Sequence, residues 1–167
     1  MVPIQLKELQ RRQRARLKGV HCRRSASQLI IPLAGETQTI YTNRAFDPLF
    51  FLTPLSKLLG PIRETKVLTW TIHEAGLEEL SLVLETLDMG SIDLRARPES
   101  VKAIGELLKA GGHRCQATKY RAKLILVRTL QGTQVSIETQ PSPDGETHTV
   151  SSDPSRYDVL CSLFEKS

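Results

Sequence analysis

The sequence predicts an α+β fold: a single two-layer domain with a largely antiparallel sheet and helices on one face, preceded by a basic N-terminal helical arm. Its 167 residues are the usual size of one domain, and 40% hydrophobic with 25% charged residues is typical of a folded globular chain. Short β-branched runs and amphipathic helical patterns occur together along the chain. We therefore expect the basic arm at residues 1–24 and the folded body at 25–167.

The basic arm is the most polarised segment of the chain. It holds eight of the 23 Lys and Arg side chains and one acid, Glu8, so it carries +7 while the remaining residues sum to −2. Residues 4–18 are helix formers, and Gly19 is the expected helix stop. The arm has few large apolar residues, so its helix should depend on what it packs against or binds. These residues include Leu6, Leu9 and Leu17.

The first half of the body predicts a hairpin, a short helix and a strand. Residues 29–33 and 37–42 are β-like runs separated by a turn at Gly35. Asp47 and Pro48 resemble an N-cap and first helical residue, and Gly60 a stop. A strand is expected at residues 67–72.

The second half predicts two amphipathic helices, an antiparallel meander and a final helix. Residues 124–127 are apolar on both faces, which indicates a central strand. The expected elements are helices at 74–88 and 98–110 with a strand at 92–96 between them, meander strands at 114–118, 124–129 and 133–139, a loop at 141–145, a strand at 147–151, and a helix starting at Asp153.

The charge distribution predicts a nucleic-acid-associated protein that is not an enzyme. Arginines at helical spacing make charge-assisted bonds to phosphate and displace counterions. Residues 101–128 are a second basic stretch, with a tyrosine able to stack on a base. RNA is favoured over DNA as the ligand. The predicted nucleic-acid-binding residues are Arg11, Arg12, Arg14, Arg16, Lys18, Arg23, Arg24, Arg114, Lys119, Tyr120, Arg121 and Lys123.

Two observations keep a second function open. Residues 74–100 and 129–167 are acidic, with net charges of −5 and −4, and such surfaces repel phosphate. The alternative is an assembly or regulatory adaptor whose basic helix docks on an acidic protein surface, which requires the arm's leucines as well as its charges. A helix-turn-helix built on residues 98–110 is the weaker interpretation, because residues 113–119 alternate like a strand.

The sequence predicts no catalytic, cofactor or metal site. His21 beside Cys22 and His113 near Cys115 have the atom types of zinc ligands but the wrong spacing. His73 and Glu74 lack the second histidine of a zinc-protease motif, and no glycine-rich phosphate loop or nucleophile elbow is present.

Composition also predicts a cytoplasmic protein without a membrane partner. No apolar run approaches the ~18 residues of a spanning helix. Three widely spaced cysteines favour thiols in a reducing compartment. An arginine-rich, acid-poor N-terminus also suits an organellar transit peptide, which remains the minor alternative.

Overall fold

A sheet of seven strands forms the centre of the computed structural model, which describes residues 4–44 and 46–167. Four neighbouring pairs are antiparallel and two are parallel. The predicted α+β class and the largely antiparallel sheet are confirmed. The strands are β1 (Thr37–Thr42), β2 (Ile62–Leu68), β3 (Ser91–Ala96), β4 (Arg114–Ala117), β5 (Lys123–Thr129), β6 (Gln134–Ser142) and β7 (Gly145–Ser151), in the order β1-β7-β6-β5-β2-β3-β4.

Five α-helices accompany the sheet in the described part of the chain. The helix after β2 leads to β3 and the next one leads from β3 to β4, so these three strands run parallel. The helices are α1 (Ile4–Ala26), α2 (Leu52–Leu59), which follows a 3₁₀ turn at Pro48–Phe51, α3 (Glu74–Thr86), α4 (Pro98–Ala110) and α5 (Pro154–Lys166).

The helices cover both faces of the sheet. On β5, Ile125 and Val127 face the main core shared with α1 to α4, while Leu124 and Leu126 face a second core formed with α5. The predicted packing of helices on one face holds for α1 to α4, and α5 covers the other face. A strand that is apolar on both sides needs cover on both sides, and α5 provides the second cover.

Two predicted strand pairings differ from those observed. Residues 29–33 are not a strand. The Gln38 side chain instead bridges two backbone groups at their start: Ile30 N donates to Gln38 Oε1 at 2.9 Å, and Gln38 Nε2 donates to Gln28 O at 2.7 Å. β1 pairs with β7 instead. The meander does not include β4, because α4 returns the chain so that β4 lies parallel to β3.

Helix α1 lies against the body and does not end at Gly19. Its buried positions are small and spaced at three and four residues, which places them on one helix face. Gly19 belongs to this buried face, in the interior of the helix, and does not terminate it. The buried positions are Ala15, Gly19, Cys22 and Ala26.

Candidate nucleic-acid interface

The carboxyl ends of the parallel strands β2, β3 and β4 meet at one end of the sheet. The loops that follow them are joined by backbone hydrogen bonds: Arg97 N donates to Trp70 O at 3.1 Å, and Thr118 N donates to Ala96 O at 2.8 Å. In sheets with parallel strands, ligands bind in the crevice outside these carboxyl ends. The topology therefore points to this end of the molecule.

Two helices begin at the same end. His73 is the N-cap of α3 and Arg97 is the N-cap of α4, and neither side chain caps its own helix. The first backbone N–H groups of a helix carry a partial positive charge that favours anions. Both side chains thus lie where an anion is already favoured.

Four basic side chains from four elements converge here, and we call them the strand-end cluster: Lys18, His73, Arg97 and Lys123. The pKa of His73 is lowered, first by its partial burial and then by the positive charges of Lys18, Lys123 and Arg97. Lys18, Lys123 and Arg97 thus lie close enough to His73 for their charges to disfavour its imidazolium form.

Acidic side chains balance part of this charge. Lys123 forms an ion pair with Glu146. Asp47 is buried, and burial raises its pKa to about 6, with the N–H groups of Leu49 and His73 and the charges of Lys123 and Lys18 acting in the opposite direction. Lys18 and Arg97 remain the more available cations, although Arg97 also approaches Glu99 at 3.8 Å.

A buried histidine supports the sheet behind the cluster. The His148 ring lies between two threonine hydroxyls, with Nε2 2.7 Å from Thr42 Oγ1 and Nδ1 2.8 Å from Thr139 Oγ1. The Phe46 and Phe51 rings contact it from the core. Burial and the charge of Lys123 lower the pKa of His148 to about 4, so it is a neutral structural group rather than an anion ligand.

An aromatic platform lies beside the cluster. The Arg121 guanidinium is 5.2 Å from the centroid of the Trp70 ring, a cation–π contact. Lys119 and Tyr120 are exposed in the same loop. Planar groups able to stack on a base therefore adjoin groups able to bind phosphate.

Helix α1 extends the positive charge along one edge, which we call the basic ridge: Lys7, Arg11, Arg14 and Lys18. Their spacing of four, three and four residues places them on one side of the helix. Arg11 Nη2 lies 3.6 Å from Glu74 at the start of α3 and 2.9 Å from Glu8. The ridge thus runs towards the strand-end cluster and joins it at Lys18.

The structure separates other predicted residues from this surface. Arg12 lies on a different side of α1 from the basic ridge, and Arg23 donates to the buried Glu79. Arg114 faces the side of the sheet covered by α5, where the pKa of Glu165 is lowered chiefly by Lys66 and less by Arg95 and Arg114. Arg16 and Arg24 are exposed on other faces of α1.

Sequence reasoning missed three residues of the site, Trp70, His73 and Arg97. The signal for the last two was their position directly before a predicted helix and after a predicted strand. That signal becomes informative only when β2 and β3 are known to be parallel neighbours, since this topology brings the two helix starts together.

The described residues offer neither a metal centre nor a membrane-spanning helix. They contain no group of three or more His, Cys, Asp or Glu side chains that could hold a metal ion. None of their helices has both the length and the apolarity to cross a bilayer.

Comparisons with known proteins show the fold only. No family model matches the chain, and no curated protein matches its sequence. The chain is similar in structure to part of a crystal structure of polyphosphate kinase from Porphyromonas gingivalis, with a TM-score of 0.57 and 10% sequence identity. The match covers 84% of this chain and 25% of that chain, so the chain spans about a quarter of the kinase's length.

Proposed function

We propose that the protein binds nucleic acid, with RNA ahead of DNA, and is not an enzyme. The observation that carries the proposal is that Lys18 from α1, Arg97 and Lys123 lie near His73, where two helices begin. Cations from separate elements near helix N-termini are complementary to phosphate. The basic ridge continues this surface along α1, so its shape suits a chain of phosphates rather than a single one.

The aromatic platform favours a single strand as the ligand. Bases of a single strand are free to stack on aromatic rings and guanidinium planes, whereas bases in a duplex are already stacked. Trp70 with Arg121 and the neighbouring Tyr120 supply such planes beside the strand-end cluster. The expected binding is therefore tolerant of sequence, because phosphates and ring faces carry little sequence information.

The structural neighbour does not decide the ligand. Its name states that it is a polyphosphate kinase. Fold alone does not transfer an activity, so this likeness does not replace the argument from the surface. We place the function in the cytoplasm, where the reducing environment suits three widely spaced thiols.

The test is the binding of a fluorescent single-stranded RNA and a DNA duplex to the full chain, measured by anisotropy from about 50 to 300 mM salt. The variant Arg14→Gln/Lys18→Gln/Arg121→Gln removes three cations of the surface. Each phosphate contact on a single strand contributes about 0.7 to the slope of log affinity against log salt. We expect the triple variant to bind more weakly at low salt and to lose about 2 from that slope.

A matched control removes the same charge elsewhere. Lys109→Gln/Arg114→Gln/Lys166→Gln changes three exposed basic residues that lie outside the basic ridge and the strand-end cluster. Its binding should follow the unmodified protein. Absence of binding at the lowest salt, or an equal loss in both triple variants, would overturn the proposal. Truncation before Ser25 is a poorer test because it uncovers the core beneath α1.

A second candidate function, an adaptor that binds an acidic protein surface, is favoured by the outward face of α1. Leu6, Leu9 and Leu17 are exposed together with Val20, about half a turn from the buried small residues. An exposed apolar stripe between basic edges fits a groove with an apolar floor and acidic rims.

Replacing the three leucines by alanine separates the two functions. If α1 binds phosphate, the salt-dependent affinity for RNA should barely change, because the cations are kept. If α1 docks in a groove, binding of the acidic partner should collapse. The leucines are exposed, so the substitution leaves the contact between α1 and the body intact.

A further inference from the structure

A half-open cavity of about 470 Å³ lies between the end of α1, α2 and α3. This volume falls within the range of small-molecule sites, about 300 to 1,000 Å³. It shares no lining residue with the strand-end cluster, so it is a separate feature. Its walls are mainly apolar and include Leu29, Phe50, Pro54, Leu58 and Leu82.

A buried carboxylate lies at the base of the cavity. Glu79 is 2% exposed, and burial of a charge is costly unless it is paired and hydrogen-bonded. Its Oε1 accepts from Thr53 Oγ1 at 3.0 Å, and its Oε2 accepts from Arg23 Nε and Nη2 at 3.2 and 3.1 Å. The negative charge of Glu79 is therefore balanced by Arg23, and the carboxylate in turn holds the Arg23 guanidinium in place.

The bonds to Glu79 hold Arg23 in place but use only some of its five N–H donors. Its side chain is 54% exposed and lies over the Phe50 ring at 5.8 Å, and its bonds to Glu79 come from Nε and Nη2. The exposed Lys57 also lines the cavity. With Glu79 matched by Arg23, the ionised lining residues carry a net charge of +1.

We propose that this cavity binds a small amphipathic monoanion, a carboxylate attached to an apolar chain. The carboxylate of the ligand pairs with the exposed side of the Arg23 guanidinium and with Lys57, which matches the net positive charge of the lining residues. The apolar chain lies against Phe50, Leu58 and Leu82 and removes their exposed surface from water. A fixed guanidinium above an apolar wall recognises both parts of such a ligand.

The test is titration of the full chain with sodium dodecanoate, monitored by calorimetry below the concentration at which dodecanoate forms micelles. Hexanoate tests the apolar chain, and dodecyltrimethylammonium tests the charge. We expect saturable one-to-one binding of dodecanoate, at least tenfold weaker binding of hexanoate, and no saturable binding of the cation. Binding of the cation as tightly as dodecanoate would overturn the proposal, as would the absence of dodecanoate binding.

Matched variants locate the site. Leu82 is 45% exposed on α3 and lines the cavity, whereas Leu107 is 44% exposed on α4 and does not. Leu82→Glu places a negative charge in the apolar wall and should weaken dodecanoate binding at least tenfold, while Leu107→Glu should leave it unchanged. Lys57→Gln should weaken it severalfold. Equal binding by both leucine variants would refute this location, and their exposed positions keep the fold comparable.

Discussion

Gly76 and Asp47 are in contact at the start of α3, in a geometry that leaves no room for a side chain at residue 76. A Cβ built on Gly76 would overlap Asp47 Oδ2 and lie 2.6 Å from Asp47 Cγ. Asp47 is 1% exposed, and its Oδ1 accepts from Leu49 N at 3.0 Å. The glycine therefore allows a buried carboxylate from the 3₁₀ turn to rest on the first turn of α3.

Gly76→Ala should destabilise the protein. The added methyl group displaces the Asp47 carboxylate from its backbone donor, and an overpacked site with a disturbed buried charge costs about 2 to 3 kcal/mol. The free energy of unfolding by urea, measured near neutral pH, checks this. A change below about 0.5 kcal/mol would show that Asp47 moves freely.

Gly19→Ala should stabilise the protein, and it is the matched substitution in a different environment. A Cβ at Gly19 meets only ordinary contacts, 3.9 Å to Arg23 Nη1 and 4.0 Å to the Phe50 ring. Alanine has the higher helix propensity, so the gain should be about 0.5 to 1 kcal/mol. The same urea titration measures it, and a loss of stability would mean that α1 packs more closely than its contacts indicate.

The sequence predicts most elements here because each is specified by local chemistry. Asp153 and Pro154 begin α5 as an N-cap and first residue, and the Asp153 side chain accepts from Ser155 N. Gly60, with a φ of 73°, ends α2. Such signals depend on a few adjacent residues. Strand pairing does not, which is why the position of β4 beside β3 was missed.

The candidate site was only partly predictable for the same reason. Lys18 and Lys123 stood out because they lie in basic stretches of the sequence. His73 and Arg97 are single residues in ordinary surroundings, and they join the lysines only through the parallel order of β2, β3 and β4. Charge clustering along the chain also selected Arg114, which the alternation of β4 turns to the opposite face.

Tyr157→Phe should be neutral or stabilising by up to about 1 kcal/mol. The ring is fully buried in the second core, and its hydroxyl has no hydrogen-bond partner in the described part of the chain. Burial is the main cause that raises the pKa of Tyr157 to about 12. Thermal unfolding compares this variant with Tyr41→Phe, an exposed control. A loss above about 1 kcal/mol would reveal a partner for the hydroxyl.

His148→Gln should remove an acid-dependent loss of stability. The folded pKa of about 4 lies below the ordinary value of about 6.5, so the unfolded chain binds the proton first as pH falls. Stability from this group is complete above pH 6.5 and is lost as pH falls towards 4. The difference in unfolding free energy between the unmodified protein and the variant should shrink by about 3 kcal/mol from pH 7 to pH 4. His21→Gln, which removes an exposed imidazole, is the control.

Asp47→Asn should reveal the opposite trend over the same pH range. The folded pKa of about 6 lies above the ordinary value of about 3.9, so the folded chain holds the proton more tightly. Stability from Asp47 is complete below pH 3.9 and is lost as pH rises through 6. The advantage of the unmodified protein over the variant should therefore grow by about 2 kcal/mol from pH 7 to pH 4. The control Asp153→Asn alters a half-buried capping aspartate and should show no such growth. Because Asp47 and His148 act in opposite directions, their effects on the pH dependence of stability largely cancel in the unmodified protein. A pH-independent difference in unfolding free energy between the unmodified protein and Asp47→Asn would place the Asp47 carboxylate in a more polar environment than this fold provides.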